Sequence, residues 1–303
     1  MTEFIQQLFN GLSLGSIYAL IALGYTMIYG ILRFINFAHG DVFMIGAFSG
    51  YYLGIVFAFS TSGGFTSLAL AFLILIGAMA ICSVLGFVIE KLAYKPLRKS
   101  PKLTILITAI GVSLFLEYSG QLVFGADPKS FPSLLENRQL LNLSGAVISS
   151  NPLVVLVTAG ILMYVLRIIV MKTKIGTAMR AVSFNPTAAS LMGININAVI
   201  SFTFIIGSSL AGAAGILYGL NYPSIDPLMG ILPGIKAFVA AVLGGIGNIP
   251  GAAIGGMIIG LVETFVTGYI SPTFRDAIAF GILILILLFK PTGILGKKEV
   301  EKV

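Results

Sequence analysis

The chain is poor in charge, in cysteine and in histidine, and each shortage excludes something. Only 10% of its 303 residues are charged, against about 25% in a soluble domain. With 57% hydrophobic residues and a mean hydropathy of +1.04, a soluble fold could not bury the apolar surface. The single cysteine, Cys82, lies inside an apolar run. That excludes an intrachain disulfide framework and reads as a buried, inert thiol. The one histidine, His39, has one aspartate nearby, too few ligands for a metal. No GxxxxGK[ST] is present: Gly293-Ile294-Leu295-Gly296-Lys297-Lys298 has the wrong spacing and no hydroxyl residue, so no ATP-binding P-loop is expected. HExxH and a potassium-type selectivity filter are missing as well, and no catalytic cluster suggests an enzyme.

What remains is apolar and glycine-rich. The long hydrophobic runs lack strand-like alternation, so membrane-spanning helices are expected rather than a barrel. The 36 glycines suit close helix approach in lipid. The predicted fold is an all-α polytopic membrane protein forming a single domain, 1–303, with spans near 4–32, 42–60, 66–90, 103–124, 151–171, 196–221, 235–270 and 274–290. Met1-Thr2-Glu3 carries no basic n-region, and the N-terminus reads as the start of a retained helix.

The net charge of +7 points to membrane orientation rather than to nucleic acid. Arg33, the loop 91–102, the region 167–180 and the tail from Lys290 to Lys302 hold fourteen of the eighteen basic residues. The positive-inside rule makes that face cytoplasmic. The mixed loop 125–150 then lies outside, as does the N-terminus, and the C-terminus is cytoplasmic. This parity fails in the last third unless 235–270 is interrupted. Gly244-Gly245-Ile246-Gly247-Asn248-Ile249-Pro250-Gly251 cannot continue a helix. The arms 235–246 and 252–270 are expected to form a broken or re-entrant hairpin opening outward. Two full helices joined by a tight cytoplasmic turn would restore the parity equally well. Broken backbone at membrane depth points to a translocation pathway, so Gly244, Gly245, Gly247 and Asn248 are candidate pathway residues.

The longest basic polar interruption is Lys172 to Asn195, KTKIGTAMRAVSFNPTAASLMGIN. Asn185 reads as an N-cap, Pro186 as the first helical residue and Gly193 as a helix stop. A short cytoplasmic helix at 186–192 is something a separate motor domain could push. The turn Arg33-Phe34-Ile35-Asn36-Phe37-Ala38-His39-Gly40-Asp41 admits a proton relay. Its simpler reading is structural: Asn36 and Asp41 cap helix ends, Gly40 makes the turn, and His39 bonds a backbone carbonyl. Glu117 is expected near the outer interface. Glu263 is the better candidate for a pore or a subunit interface. The GxxxG spacings at Gly11 and Gly15, and from Gly251 to Gly260, suggest close packing, within the subunit by default or in a dimer.

The blocks at 11–48 (GLSLGSIYALIALGYTMIYGILRFINFAHGDVFMIGAF), 176–195 and 234–256 (GIKAFVAAVLGGIGNIPGAAIGG) resemble the LivH-type permease of bacterial branched-chain amino-acid ABC importers. The resemblance covers nearly the whole chain. It implies an inner-membrane subunit forming half of a pathway for hydrophobic amino acids. It also implies a homologous second permease, two cytoplasmic P-loop ATPase subunits that hold the ATP and magnesium, and a periplasmic or lipid-anchored binding protein. No cofactor is expected on this chain. Residues 176–195 would be the ATPase-docking loop, with Arg180 as a basic contact. Thr187-Ala188-Ala189 and Gly193 follow the family's Glu-Ala-Ala…Gly pattern without its glutamate. A stand-alone, ion-coupled transporter or channel using Glu263 or His39 is the competing class.

Overall fold

The computed structural model describes residues 2–58, 68–143, 146–290 and 292–296. The tail lysines Lys297, Lys298 and Lys302, and the facing ends of the spans at 42–60 and 66–90, lie outside the described residues.

The described residues are mostly helical. Helix α1 (Thr2–Leu32) leads through a short turn to α2 (His39–Ala58). Helix α3 (Leu68–Ile89) passes through a π-helical turn, Glu90–Tyr94, into α4 (Lys95–Leu97), and α5 (Lys102–Phe124) follows. A connection carrying strands β1 (Lys129–Ser130), β2 (Gln139–Leu143) and β3 (Ala146–Ser149) leads to α6 (Ser150–Lys172). Two short helices, α7 (Lys174–Phe184) and α8 (Pro186–Leu191), precede the long α9 (Ile196–Asn221). After β4 (Ser224–Ile225) come α10 (Ile231–Gly244), α11 (Ile249–Tyr269) and α12 (Arg275–Phe289). Strands β2 and β3 form an antiparallel hairpin, and β1 pairs antiparallel with β4. Among the described residues, eight helices are long and apolar enough to cross a membrane.

The layering follows from where polar surface is missing. Helix α1 is buried on all sides from Ser13 to Ile28, as expected of a helix without a polar face. It packs chiefly on α11, α9 and α10. The outer helices expose apolar side chains such as Phe72, Phe115, Val157 and Leu288, a surface suited to lipid. Close approach at the centre requires glycine. A Cβ on Gly260 would lie 2.2 Å from Gly15 Cα, and one on Gly256 would lie 2.4 Å from Ala19 N. The GxxxG spacings of α1 and α11 are thus consumed inside the subunit.

The break between α10 and α11 occurs where the sequence places it. Gly245 (φ +103°) and Gly247 (φ +88°) adopt left-handed backbone, which glycine reaches without strain. Asn248 then caps α11 by accepting from Gly251 N–H, with Pro250 in the first turn. Helix α10 has 14 residues, about 21 Å at 1.5 Å per residue, short of a hydrocarbon core of about 30 Å. Helix α11, with 21 residues, is long enough. The short arm begins at Ile231, four residues earlier than the sequence suggests. The turn is closed by the following chain: Leu243 and Gly244 carbonyls accept from Ile294 and Leu295 N–H, and Asn248 Nδ2 donates to the Leu295 carbonyl.

Candidate functional site

Three places gather the polar side chains of this apolar molecule. The first is the 172–195 segment, which the sequence reads as one short helix and the structure resolves into two. Thr173 caps α7 by accepting from Gly176 N–H, and Asn185 caps α8 by accepting from Ala188 N–H. Gly193 (φ +81°) ends α8, with Ile194 N–H returning to the Ala189 carbonyl, a left-handed C-terminal stop. Ser183 donates to the Gly30 carbonyl at the end of α1, so α7 is pinned to the central helix. Arg180, itself exposed, donates to the Val170 carbonyl near the end of α6 and to Thr177. Ala189 is buried while Phe184, Leu191 and Met192 are more than 80% exposed. The exposed surface of this pair therefore carries apolar side chains among its polar ones, a property that Arg180 and the cap residues do not announce.

The second is the turn between α1 and α2, where Gly40 proves to be helical rather than the turn residue. The left-handed residue is Arg33 (φ 57°), not Gly40. Gly40 sits in α2 because a Cβ there would lie 2.6 Å from the Gly230 carbonyl oxygen, at the start of α10. Asn36 is buried and accepts from Tyr94 OH at 2.6 Å. Asp41 accepts from Ser113 of α5. Each side chain is thus held by a hydroxyl from another element. His39 is buried against Tyr25, with ring centroids 4.8 Å apart. The Ile21 carbonyl faces it, yet neither ring nitrogen makes a hydrogen bond of normal geometry. Glu117 lies 3.5 Å from Ser113 Oγ. It lines a cavity of about 180 Å³ with Asp41 and Gly230 rather than lying at its helix end.

The third is centred on Glu263, in the second half of α11. Its carboxylate accepts from Tyr18 OH of α1 at 2.9 Å. It also pairs with Lys236 Nζ of α10 and Arg275 Nε of α12, each at 3.0 Å. Asp276 completes the group, 2.6 Å from Lys236. Four helices thus meet at one charge-balanced quartet of two cations and two anions. Lys236 and Glu263 are 1% and 2% exposed, whereas Arg275 and Asp276 are 42% and 41% exposed. Two adjoining cavities of about 340 and 330 Å³ share Leu14, Tyr222, Glu263 and Arg275. The sequence singles out Glu263. It misses Lys236, Arg275, Asp276 and Tyr18, whose one available signal is that a lysine within an apolar helix needs an anion.

A second buried charge, Glu90, is held by Arg98 and by Ser201 Oγ at 2.7 Å, with Arg98 also donating to Asn197. This ties the π-helical turn to α9. Among the described residues, no group of three or more His, Cys, Asp or Glu side chains could hold a metal ion.

A bundle of membrane-length helices with a glycine-broken hairpin, a buried charge quartet and a paired-helix protrusion defines a multi-pass membrane protein of transport type. The family model described as branched-chain amino acid transport system / permease component matches residues 7–287. The chain belongs to that family. It is similar to the high-affinity branched-chain amino acid transport system permease protein LivH of Salmonella typhimurium, 46% identical over 303 residues, covering 99% of this chain and 98% of that one. BraD of Pseudomonas aeruginosa, a permease protein of the same description, is 44% identical over 305 residues with the same coverage. A probable branched-chain amino acid transport permease protein LivM of Methanocaldococcus jannaschii is 25% identical over 245 residues, 75% of this chain and 70% of that one. No solved structure matches the chain significantly.

Proposed function

We propose that this chain is the membrane permease subunit of an ABC importer for branched-chain amino acids. It forms half of the pathway, with a homologous second permease forming the other half. Two cytoplasmic P-loop ATPases that carry ATP and magnesium drive the transport, and a periplasmic or lipid-anchored protein delivers the cargo. The observation that carries the proposal is the near full-length similarity to LivH and BraD permeases. It combines with a short helix pair whose Phe184, Leu191 and Met192 are more than 80% exposed.

In this reading the domain spans 1–303 in the inner membrane, with its N-terminus outside and its C-terminus cytoplasmic. The basic residues from Lys91 to Lys102 and from Arg167 to Arg180 then lie on the inner side. Helices α7 and α8 dock on the ATPase. Asn185, Pro186, Ala188, Ala189 and Gly193 shape the docking helix, and Arg180 braces it against α6. Phe184, Leu191 and Met192 supply the apolar contact. The Ser183–Gly30 hydrogen bond passes a displacement of α7 to α1, and α1 carries it to α10 and α11. ATP-driven closure shifts the permease between outward and inward states only if the ATPase pair binds the two states with different affinity. The pathway runs beside Glu263, with Gly244, Gly245, Gly247 and Asn248 forming the inner end of the broken hairpin. Asn36, His39, Gly40 and Asp41 form the packed turn beside it.

Gentle purification of the tagged chain from its native membrane tests the proposal. Recovery of two P-loop ATPases and a second permease, with leucine uptake that requires ATP, is the expected outcome. A homo-oligomer that transports without ATP would overturn it in favour of ion-coupled transport.

A further inference from the structure

The cavity of about 340 Å³ beside the charge quartet has the chemistry of an amino-acid headgroup site. Its volume falls within the range of small-molecule pockets. Arg275 lines it, half-exposed, with its Nε 3.0 Å from Glu263 and 3.5 Å from Asp276. A guanidinium anchored in this way offers a preset fork for a carboxylate. The second charged group on the wall outside the quartet is Asp226. One of its oxygens accepts from Leu228 N–H at 2.8 Å, and a carboxylate has capacity to accept further bonds, as from an ammonium. Between these groups the wall is apolar, with Leu14, Leu228, Met229 and Leu232.

We propose that this cavity is a transit site for a zwitterionic amino acid with an apolar side chain. Arg275 takes the α-carboxylate, Asp226 takes the α-ammonium, and the leucines and Met229 receive the side chain. The proposal rests on the transport reading above and adds to it the residues that recognise the cargo. Glu263 and Lys236 are positioning residues: they hold Arg275 in place and do not touch the cargo. Both charges of the cargo stay compensated while it is away from bulk water, which an apolar lining alone would not achieve.

The test uses the complete importer in proteoliposomes, with ATP-dependent leucine uptake by the unaltered complex measured first. If that uptake is absent, the transport reading fails and takes the proposal with it. With uptake established, Leu228→Cys places a thiol on the cavity wall. The native Cys82 is buried, so a maleimide reports on position 228. Leucine is expected to slow labelling, whereas 4-methylpentanoate and isoamylamine, which each carry one of leucine's two charges, do not. Asp226→Asn keeps the side-chain volume and the cap on Leu228 but removes the charge. It is expected to abolish leucine protection and lower subsaturating uptake about tenfold, the loss of one charge-assisted contact. No protection by leucine, equal protection by either half-analogue, or unchanged uptake by Asp226→Asn would overturn the site while leaving the transport reading intact.

Discussion

Lys236 of α10 and Glu263 of α11 stand 3.0 Å apart with both side chains almost wholly buried. The pair crosses between the short and the long arm of the broken hairpin. A single lysine or carboxylate at this depth would be costly, but together with Arg275 and Asp276 the site carries no net charge. The quartet also joins α12 and, through Tyr18, the central helix. Movement of one arm against the other must therefore carry the group intact or break ion pairs inside the bundle.

Removing the hub should cost more than removing the rim. Glu263→Gln leaves Lys236 and Arg275 sharing only Asp276, and breaking a buried pair in this way costs about 3 kcal/mol or more. Asp276 is half exposed and screened by solvent, so Asp276→Asn should cost no more than about 1 kcal/mol. The unfolding midpoint of the purified complex in detergent checks the ranking. Equal shifts for the two variants would mean that Glu263 is not the centre of the group.

Glycine positions give a second ranking. A methyl group on Gly260 would drive into Gly15, while one on Gly160 of α6 meets nothing within 4 Å. Gly260→Ala should destabilise by about 1–3 kcal/mol through overpacking. Gly160→Ala should be neutral or stabilising by up to about 1 kcal/mol from helix propensity. The same unfolding assay separates them, and a stable Gly260→Ala would contradict the close contact of α1 with α11.

The sequence discloses what is local. The apolar runs, the Asn185 cap with Pro186 behind it, the Gly193 stop and the interruption at 244–251 are each set by a few neighbouring residues, and each appears in the structure. Partnerships between elements are not written locally. Asn36 and Asp41 do not tell in sequence that Tyr94 of the π-helical turn and Ser113 of α5 will be brought to them. Gly40 looks like a turn glycine until Gly230 is found against it, 190 residues further on. Glu263 is conspicuous as a lone carboxylate among apolar residues, but nothing near it in sequence tells that Lys236 and Arg275 will neutralise it. Arg180 reads as a basic contact, but nothing near it in sequence tells that its guanidinium also donates to the Val170 carbonyl.

The apolar tip of the paired helices should matter more for partner binding than their charges. Leu191 is 84% exposed, so Leu191→Asp should leave the fold intact while placing a charge in the contact. Loss of a central apolar anchor of this kind costs about 2 kcal/mol, or about thirtyfold in affinity. Co-purification of the ATPases with the variant measures it. Asn185→Ala removes a helix cap worth about 1 kcal/mol and should weaken capture less. Retention of the ATPases at the unaltered level by Leu191→Asp would place the docking surface elsewhere.

The hairpin turn and the paired helices should share a side of the membrane. Gly247 packs near Gly30, whose carbonyl accepts from Ser183 of α7. Pro250, at the exposed start of α11, therefore belongs to the same end of the bundle as Leu191. Leu228, beside β4, belongs with the connection that holds β1, and Phe274 follows the far end of α11. With Cys82 buried, single cysteines at these four positions report sidedness to an impermeant maleimide in oriented vesicles. Pro250→Cys and Leu191→Cys should react only from the cytoplasmic side, and Leu228→Cys and Phe274→Cys only from the other. Labelling of Pro250→Cys together with Leu228→Cys from outside would make the turn re-entrant from the opposite face. It would also separate the turn from the segment that the ATPases move.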